Sequence, residues 1–159
     1  MKYYAVIDTN VVISSMLKKT SIPGQVLDYV ADGTIIPLLN EEILDEYEEV
    51  LSRNNFGFSE KAIADITSLF RETGVFLERT QTAEKFPDPD DAVFYEIVMT
   101  ARKTEGAYLV TGNSKHFPVK PFVVSAREMI DIIEGIMTVE TKVNNIPDTV
   151  SNEVENSED

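Results

Sequence analysis

Cysteine is absent from the 159 residues, which excludes disulfides and thiolate metal sites and agrees with a reducing compartment. Basic charge is scarce: 14 Lys and Arg stand against 28 Asp and Glu, a net of −14. Such a surface repels nucleic acid at long range, because non-specific affinity comes mainly from neutralising phosphates. A polyphosphate substrate would therefore need a local reversal of sign, and a bound divalent cation supplies one. Long hydrophobic runs are missing, and no basic region leads into an apolar stretch at the N-terminus. Neither a membrane span nor a secretory leader is expected, and a cytoplasmic protein with no membrane contact is the simplest reading. Histidine occurs once, at His116, with no neighbours that would make a triad. A lone histidine reads first as a surface or packing residue.

What is present is an ordinary globular composition, 43% apolar, in a chain long enough for one domain with a real core. Short apolar runs alternate with stretches of helical length. The runs are residues 3–7, 35–39, 74–78 and 107–111, with a weaker fifth at 122–124; the helical stretches are 24–31, 41–52, 60–72, 90–103 and 126–136. That alternation predicts βαβ units, hence an α/β fold of three layers, α/β/α, around a mainly parallel sheet of four to five strands. There is no internal repeat. Residues 138–159 differ in kind, with six acids, one lysine and no aromatic residue. The expectation is a domain over 1–137 followed by an acidic, mobile tail over 138–159.

Asp8 closes the first strand-like run, Tyr3-Tyr4-Ala5-Val6-Ile7. Open α/β sheets place their ligands in the crevice outside the carboxyl ends of the strands, so this carboxylate stands at a functional edge. Further acids lie in two clusters. The stretch 41–52 carries six, and its apolar set, Ile43, Leu44, Tyr47, Val50 and Leu51, forms one helical stripe. At about 100° per residue, only Glu46 and Glu48 flank that stripe. In Asp88-Pro89-Asp90-Asp91, Asp88 suits an N-cap and Pro89 the first helical position. Capping explains Asp88 and one neighbour but hardly all three acids, because packed like charges oppose one another unless a cation sits among them. A third cluster, Leu109-Val110-Thr111-Gly112-Asn113-Ser114-Lys115, ends a strand and turns. Thr111 and Asn113 offer oxygen ligands or supporting donors there, and Lys115 offers a charge for phosphate.

Taken in order, these segments resemble the PIN-domain ribonucleases, and specifically the branch described as toxin components of toxin–antitoxin pairs. The matching residues are Ala5-Val6-Ile7-Asp8-Thr9-Asn10-Val11-Val12, Glu42 to Leu51, Asp88-Pro89-Asp90-Asp91 and Tyr108-Leu109-Val110-Thr111-Gly112-Asn113. The resemblance implies a metal-dependent endoribonuclease that cleaves single-stranded RNA with Mg2+ or Mn2+, leaving a 5′-phosphate and a 3′-hydroxyl. It implies Asp8, Glu46 and Asp91 as catalytic metal ligands, with Asp90 a close contender for the third place. The fourth corner is Asn113, where relatives often have aspartate. Thr9, Asn10, Thr111 and Lys115 become supporting or phosphate-contacting residues, with Lys18, Lys19 and Lys120 as further phosphate contacts. An antitoxin protein and a homodimer are the partners it implies. Two other readings use the same residues. Phosphotransferases of the haloacid dehalogenase type also open on a strand-end aspartate, but carry a second acid two residues on, where this chain has Asn10. A PIN-like binding or regulatory module without turnover is the alternative that Asn113 and the acidic surface favour.

Overall fold

A run of apolar side chains with no polar interruption suits a strand covered on both faces. Tyr3–Ile7 forms such a strand, β1, in the computed structural model, which describes residues 1–136. Ala5, Val6 and Ile7 are wholly buried. The other strands are β2 (Ile35–Leu39), β3 (Val75–Phe76), β4 (Tyr108–Val110) and β5 (Val123–Val124). They make a five-stranded sheet in the order β3-β2-β1-β4-β5, with every pairing parallel. β1 is central, with Ala5 beside Pro37 of β2 on one side and Tyr108 of β4 on the other. The chain builds outward from β1 through β2 to β3, then returns to lay β4 on the opposite side. The carboxyl ends of β1 and β4 therefore form the point where strand order reverses, the usual crevice of such sheets.

The helices are α1 (Thr9–Leu17), α2 (Ile22–Ala31), α3 (Glu41–Leu51), α4 (Glu60–Thr73), α5 (Ala92–Ala101) and α6 (Ala126–Ile133). Packing links α1 to α2 and α2 to α6, while α3 joins α4 and α5, and α5 lies across β1, β2 and β4. The result is the expected three-layer α/β/α arrangement. The acidic stretch 138–159 lies outside the described residues.

Two elements depart from the sequence reading. The helix α1 was not anticipated, because Thr9, Val11, Val12 and Ile13 are β-branched and poor helix formers. Tertiary packing overrides that propensity: Asp8 caps the helix by accepting the Thr9 N–H, and Val11, Val12 and Ser15 are buried. The turn from α1 into α2 is so tight that a Cβ on Gly24 would stand 2.0 Å from the Lys19 carbonyl oxygen, so only glycine fits. The second departure is β3. The five-residue run 74–78 gives only a two-residue strand, at the sheet edge, with Val75 and Phe76 about two-fifths exposed. A short edge strand limits unwanted pairing with other chains.

The helix α3 behaves as its periodicity predicts, burying Ile43, Leu44, Tyr47, Val50 and Leu51. Asn40 caps it by accepting the Ile43 N–H at 2.9 Å. Tyr47 then fixes the helix to the sheet. Its ring meets Phe70 of α4 edge-on at 5.0 Å, and its hydroxyl donates to the Ile7 carbonyl at the end of β1. A wholly buried hydroxyl of this kind sets the position of the neighbouring Glu46. Tyr47→Phe should lower unfolding free energy in a urea titration by about 1–2 kcal/mol, the usual cost of losing a buried hydrogen bond.

Candidate active site

Asp8 is 6% exposed, at the carboxyl end of β1 and the start of α1. Three donors hold it. Its Oδ1 accepts the Thr9 N–H at 2.8 Å, while Oδ2 accepts the Thr111 hydroxyl at 2.7 Å and the Asn10 amide at 3.4 Å. The Thr111 hydroxyl is itself oriented, because its oxygen accepts the Asn113 N–H at 2.9 Å and its hydrogen is thus left for Asp8. Asn10 also ties α1 to the loop after β4, its Oδ1 accepting the Gly112 N–H at 3.1 Å. A carboxylate has about four acceptor positions. Protein donors take three here, which leaves one on Oδ1.

Around Asp8 a single cavity is lined by Thr9, Asn10, Glu46, Asp90, Asp91 and Asn113, with Asp88, Glu49, Arg53 and His116 completing its rim. The residues come from distant parts of the chain, since Glu46 rides on α3 and Asp90 and Asp91 on the 3-10 turn Pro89–Asp91 before α5. Asp88 caps that turn by accepting the Asp90 N–H, with Pro89 in its first position as the sequence suggested. Of the two acids flanking the α3 stripe, Glu46 is half-buried and lines this cavity, within 3.5 Å of the Thr9 hydroxyl. Glu48 is exposed and lines a separate depression with Ser52, Glu60 and Ile63.

The electrostatics are those of acids crowded together. Burial, reinforced by the Asp91 charge, pushes the Asp8 carboxyl up to about 6, against the lowering effect of its Thr111 and Thr9 hydrogen bonds. Burial also raises Glu46, with Glu49 and Asp90 adding to the effect. Asp91 is raised by burial, opposed by its bond to His116. That bond, 3.1 Å from Nδ1 to Oδ2, was not foreseen. The histidine reaches the site because a 3-10 turn, Ser114–His116, follows Asn113, and the His116 N–H returns to the Asn113 carbonyl. The readable signal was the spacing of three from Asn113, which one helical turn brings to the same side.

Lys115 is exposed and does not line the cavity, nor do Lys18, Lys19 or Lys120. The expected lysine contacts are thus displaced, because the turn that swings His116 inward leaves Lys115 outside. Arg53 and His116 take that rim instead. Nearby, Arg79 bridges Glu42 of α3 and Glu96 of α5 at 3.0 and 2.7 Å, holding the two acid-bearing walls together.

A PIN-domain family model matches residues 4–115, which span every strand and loop of this cavity up to the start of the His116 turn. The chain belongs to the PIN-domain family. It is also 29% identical over 117 residues to an uncharacterized protein of Methanocaldococcus jannaschii, an alignment covering 71% of this chain and 72% of that one. PIN domains are typically nucleases that use divalent metals and bind RNA, and this chain has the family's fold. The donor set suits a hard cation, since magnesium takes oxygen ligands, often only one or two carboxylates, and keeps several waters. Among the described residues no three acids or histidines stand close enough to form a ready metal cage. The fit of this PIN domain is therefore one of donor chemistry, with the carboxylates near one another but not drawn together. No described helix is long and apolar enough to cross a membrane.

The raised Asp8 carboxyl has a consequence for stability. Its folded-state value lies above the ordinary 3.8, so the ionised form opposes folding. The favourable contribution is fully present below about pH 4 and is lost as pH rises through about 6. A shift of about two units corresponds to about 3 kcal/mol. In chelator, Asp8→Asn should raise unfolding free energy at about pH 7.5 by about 1–2 kcal/mol, the gain being trimmed because an amide accepts at one oxygen only and its NH2 would face the donors of the other. At about pH 4 the same substitution should give no gain, as thermal or urea unfolding at the two pH values will show.

Proposed function

We propose that this PIN domain is a metal-dependent endoribonuclease that cleaves single-stranded RNA. The observation that carries the reading is the convergence of Asp8, Glu46, Asp90 and Asp91 on one cavity at the switch point of the sheet. Four like charges in one place, one of them nearly buried, make sense as a cation site. Asp8, Glu46 and Asp91 would hold Mg2+ or Mn2+, with Asp90 at the rim as an alternative ligand. Such an ion, when bound, polarises the scissile phosphate and makes water a nucleophile near neutral pH.

The chain's own groups do the positioning. Thr111 and Asn10 hold the Asp8 Oδ2 edge, and the Thr9 amide holds Oδ1, so the carboxylate has one orientation. His116 does the same for Asp91, because an ionised carboxylate only accepts and the ring Nδ1 must then carry the hydrogen. Tyr47 and Arg79 keep α3 in place so that Glu46 faces Asp8. Asn113 contributes an oxygen without a charge, which supports one tightly held ion rather than two. Thr9, whose hydroxyl donates to Glu46 at 3.5 Å, also lines the cavity. In the toxin branch that the sequence resembles, such an enzyme works as a homodimer held in check by an antitoxin protein, and the proposal extends to those partners.

Purified protein with Mn2+ or Mg2+ should cut a single-stranded RNA oligonucleotide, leaving 5′-phosphate and 3′-hydroxyl ends. Asp8→Asn should lower the rate by more than about a hundred-fold, the scale of metal-assisted stabilisation of phosphoryl charge. Activity that persists in both this variant and chelator belongs to a contaminant and removes the claim. His116 offers a separate check through Mn2+ titration by calorimetry. His116→Ala should weaken binding by about ten-fold, as removal of a ligand's hydrogen-bond partner does. His116→Asn, whose amide nitrogen can stand where Nδ1 stands, should retain most of the affinity.

A further inference from the structure

Among the described residues, Arg53 is the single arginine or lysine lining the acid cavity. It lies just beyond the α3 C-cap, Ser52, with its side chain about half exposed. Glu49, one turn back, accepts its Nε–H at 3.3 Å and an Nη2–H at 2.9 Å. This two-point grip orients the guanidinium by its Nε/Nη2 edge. A guanidinium has five N–H donors, so the Nη1/Nη2 edge keeps a second fork, and no other acceptor among the described residues occupies it. Such a fork matches two oxygens of a phosphate.

The next residues form a tight turn from the same point. The Phe56 N–H donates to the Arg53 carbonyl at 3.2 Å, which keeps the two residues adjacent. Gly57 then adopts φ 71°, a left-handed conformation that favours glycine. It folds Phe58 beneath Phe56, the rings stacking at 5.8 Å between centroids with 16° between planes. Phe58 packs on the core, whereas Phe56 rests on Phe58 and is only half-buried. A guanidinium fork and a phenyl ring supported from below, three residues apart on one turn, are the elements that proteins combine for single strands, charge for the backbone and a flat surface for a base.

We propose that the turn Arg53–Phe58 is the subsite for the nucleotide flanking the cleaved bond, with Arg53 gripping its phosphate and Phe56 stacking its base. The assignment rests on the ribonuclease reading of the acid cavity. It gives the edge of that cavity a phosphate-matching cation, held in place by Glu49, in a chain of net charge −14. Stacking on a phenyl ring is tolerant of base identity, so the subsite adds affinity without strong sequence preference. Glu49 acts here as a positioning residue, holding Arg53 rather than touching the strand.

The test measures steady-state cleavage and, separately, anisotropy of a labelled single-stranded RNA with Ca2+ in place of the activating ion. Arg53→Ala and Phe56→Ala should each raise KM and the RNA dissociation constant by about ten-fold, with kcat within about two-fold. Phe56→Tyr should restore the wild-type values, and an RNA with one abasic residue beside the cut should abolish the Phe56→Ala penalty while leaving that of Arg53→Ala. Unchanged thermal unfolding in the three variants confirms that the turn is intact. If wild type cleaves and both alanine variants keep its KM and dissociation constant, the subsite assignment is overturned while the ribonuclease reading stands. If wild type binds RNA without cutting it and the variants weaken that binding, the subsite stands and the ribonuclease reading fails. Wild type that neither binds nor cuts overturns both.

Discussion

Burying a carboxylate at the carboxyl end of the central strand is the constraint around which this molecule is arranged. Asp8 loses water, and His116, the basic group that acts on it, offsets its charge only weakly. Hydrogen bonds do part of that work. The Thr111 hydroxyl crosses from β4, the Asn10 amide reaches back from α1, and the Thr9 N–H is supplied by the helix that Asp8 itself caps. One side chain thus joins strand, neighbouring strand and first helix. The sheet's order brings β1 and β4 together where the chain reverses direction, and that reversal opens the space in front of the carboxylate.

The surrounding acids then follow a common logic. Glu46 and Asp91 are each partly desolvated and each raised by burial, and each is held by a neighbour that fixes its place. For Glu46 the neighbour is Tyr47, whose hydroxyl bonds to the last residue of β1. For Asp91 it is His116. A site of this kind trades stability for readiness, since every charge left without a cation works against the folded state. The acidic exterior intensifies the demand for positive charge at the site, which in the proposed enzyme a divalent ion would meet at the centre and Arg53 at the rim.

Much of this arrangement was legible along the chain. The alternation of apolar runs and amphipathic stretches predicts the parallel α/β fold, and the α3 stripe predicts its five buried residues. The Asp88-Pro89 pair marks the turn before α5 because capping is a local matter of side chain and backbone. The failures are equally physical. The helix α1 is hidden by β-branched residues whose local preference is overridden by packing on α2. The edge strand β3 is shorter than its apolar run because only one neighbour pairs with it.

Local pattern by itself determined the class of fold, the acid-rich character and the short set of carboxylates able to meet at a strand end. Periodicity could narrow α3 to Glu46 and Glu48, because it reports which side of a helix a residue occupies. The family resemblance pointed to Glu46, but pattern alone left both open, since the answer depends on what packs against each flank; in the fold Glu46 lines the cavity around Asp8 and Glu48 does not. The same holds for His116, for the exclusion of Lys115, and for the Thr111 bond to Asp8 across 103 residues. Those contacts arise from strand order and the direction of single turns. They carry no periodic signature, so the sequence could nominate the residues but the fold had to bring them together.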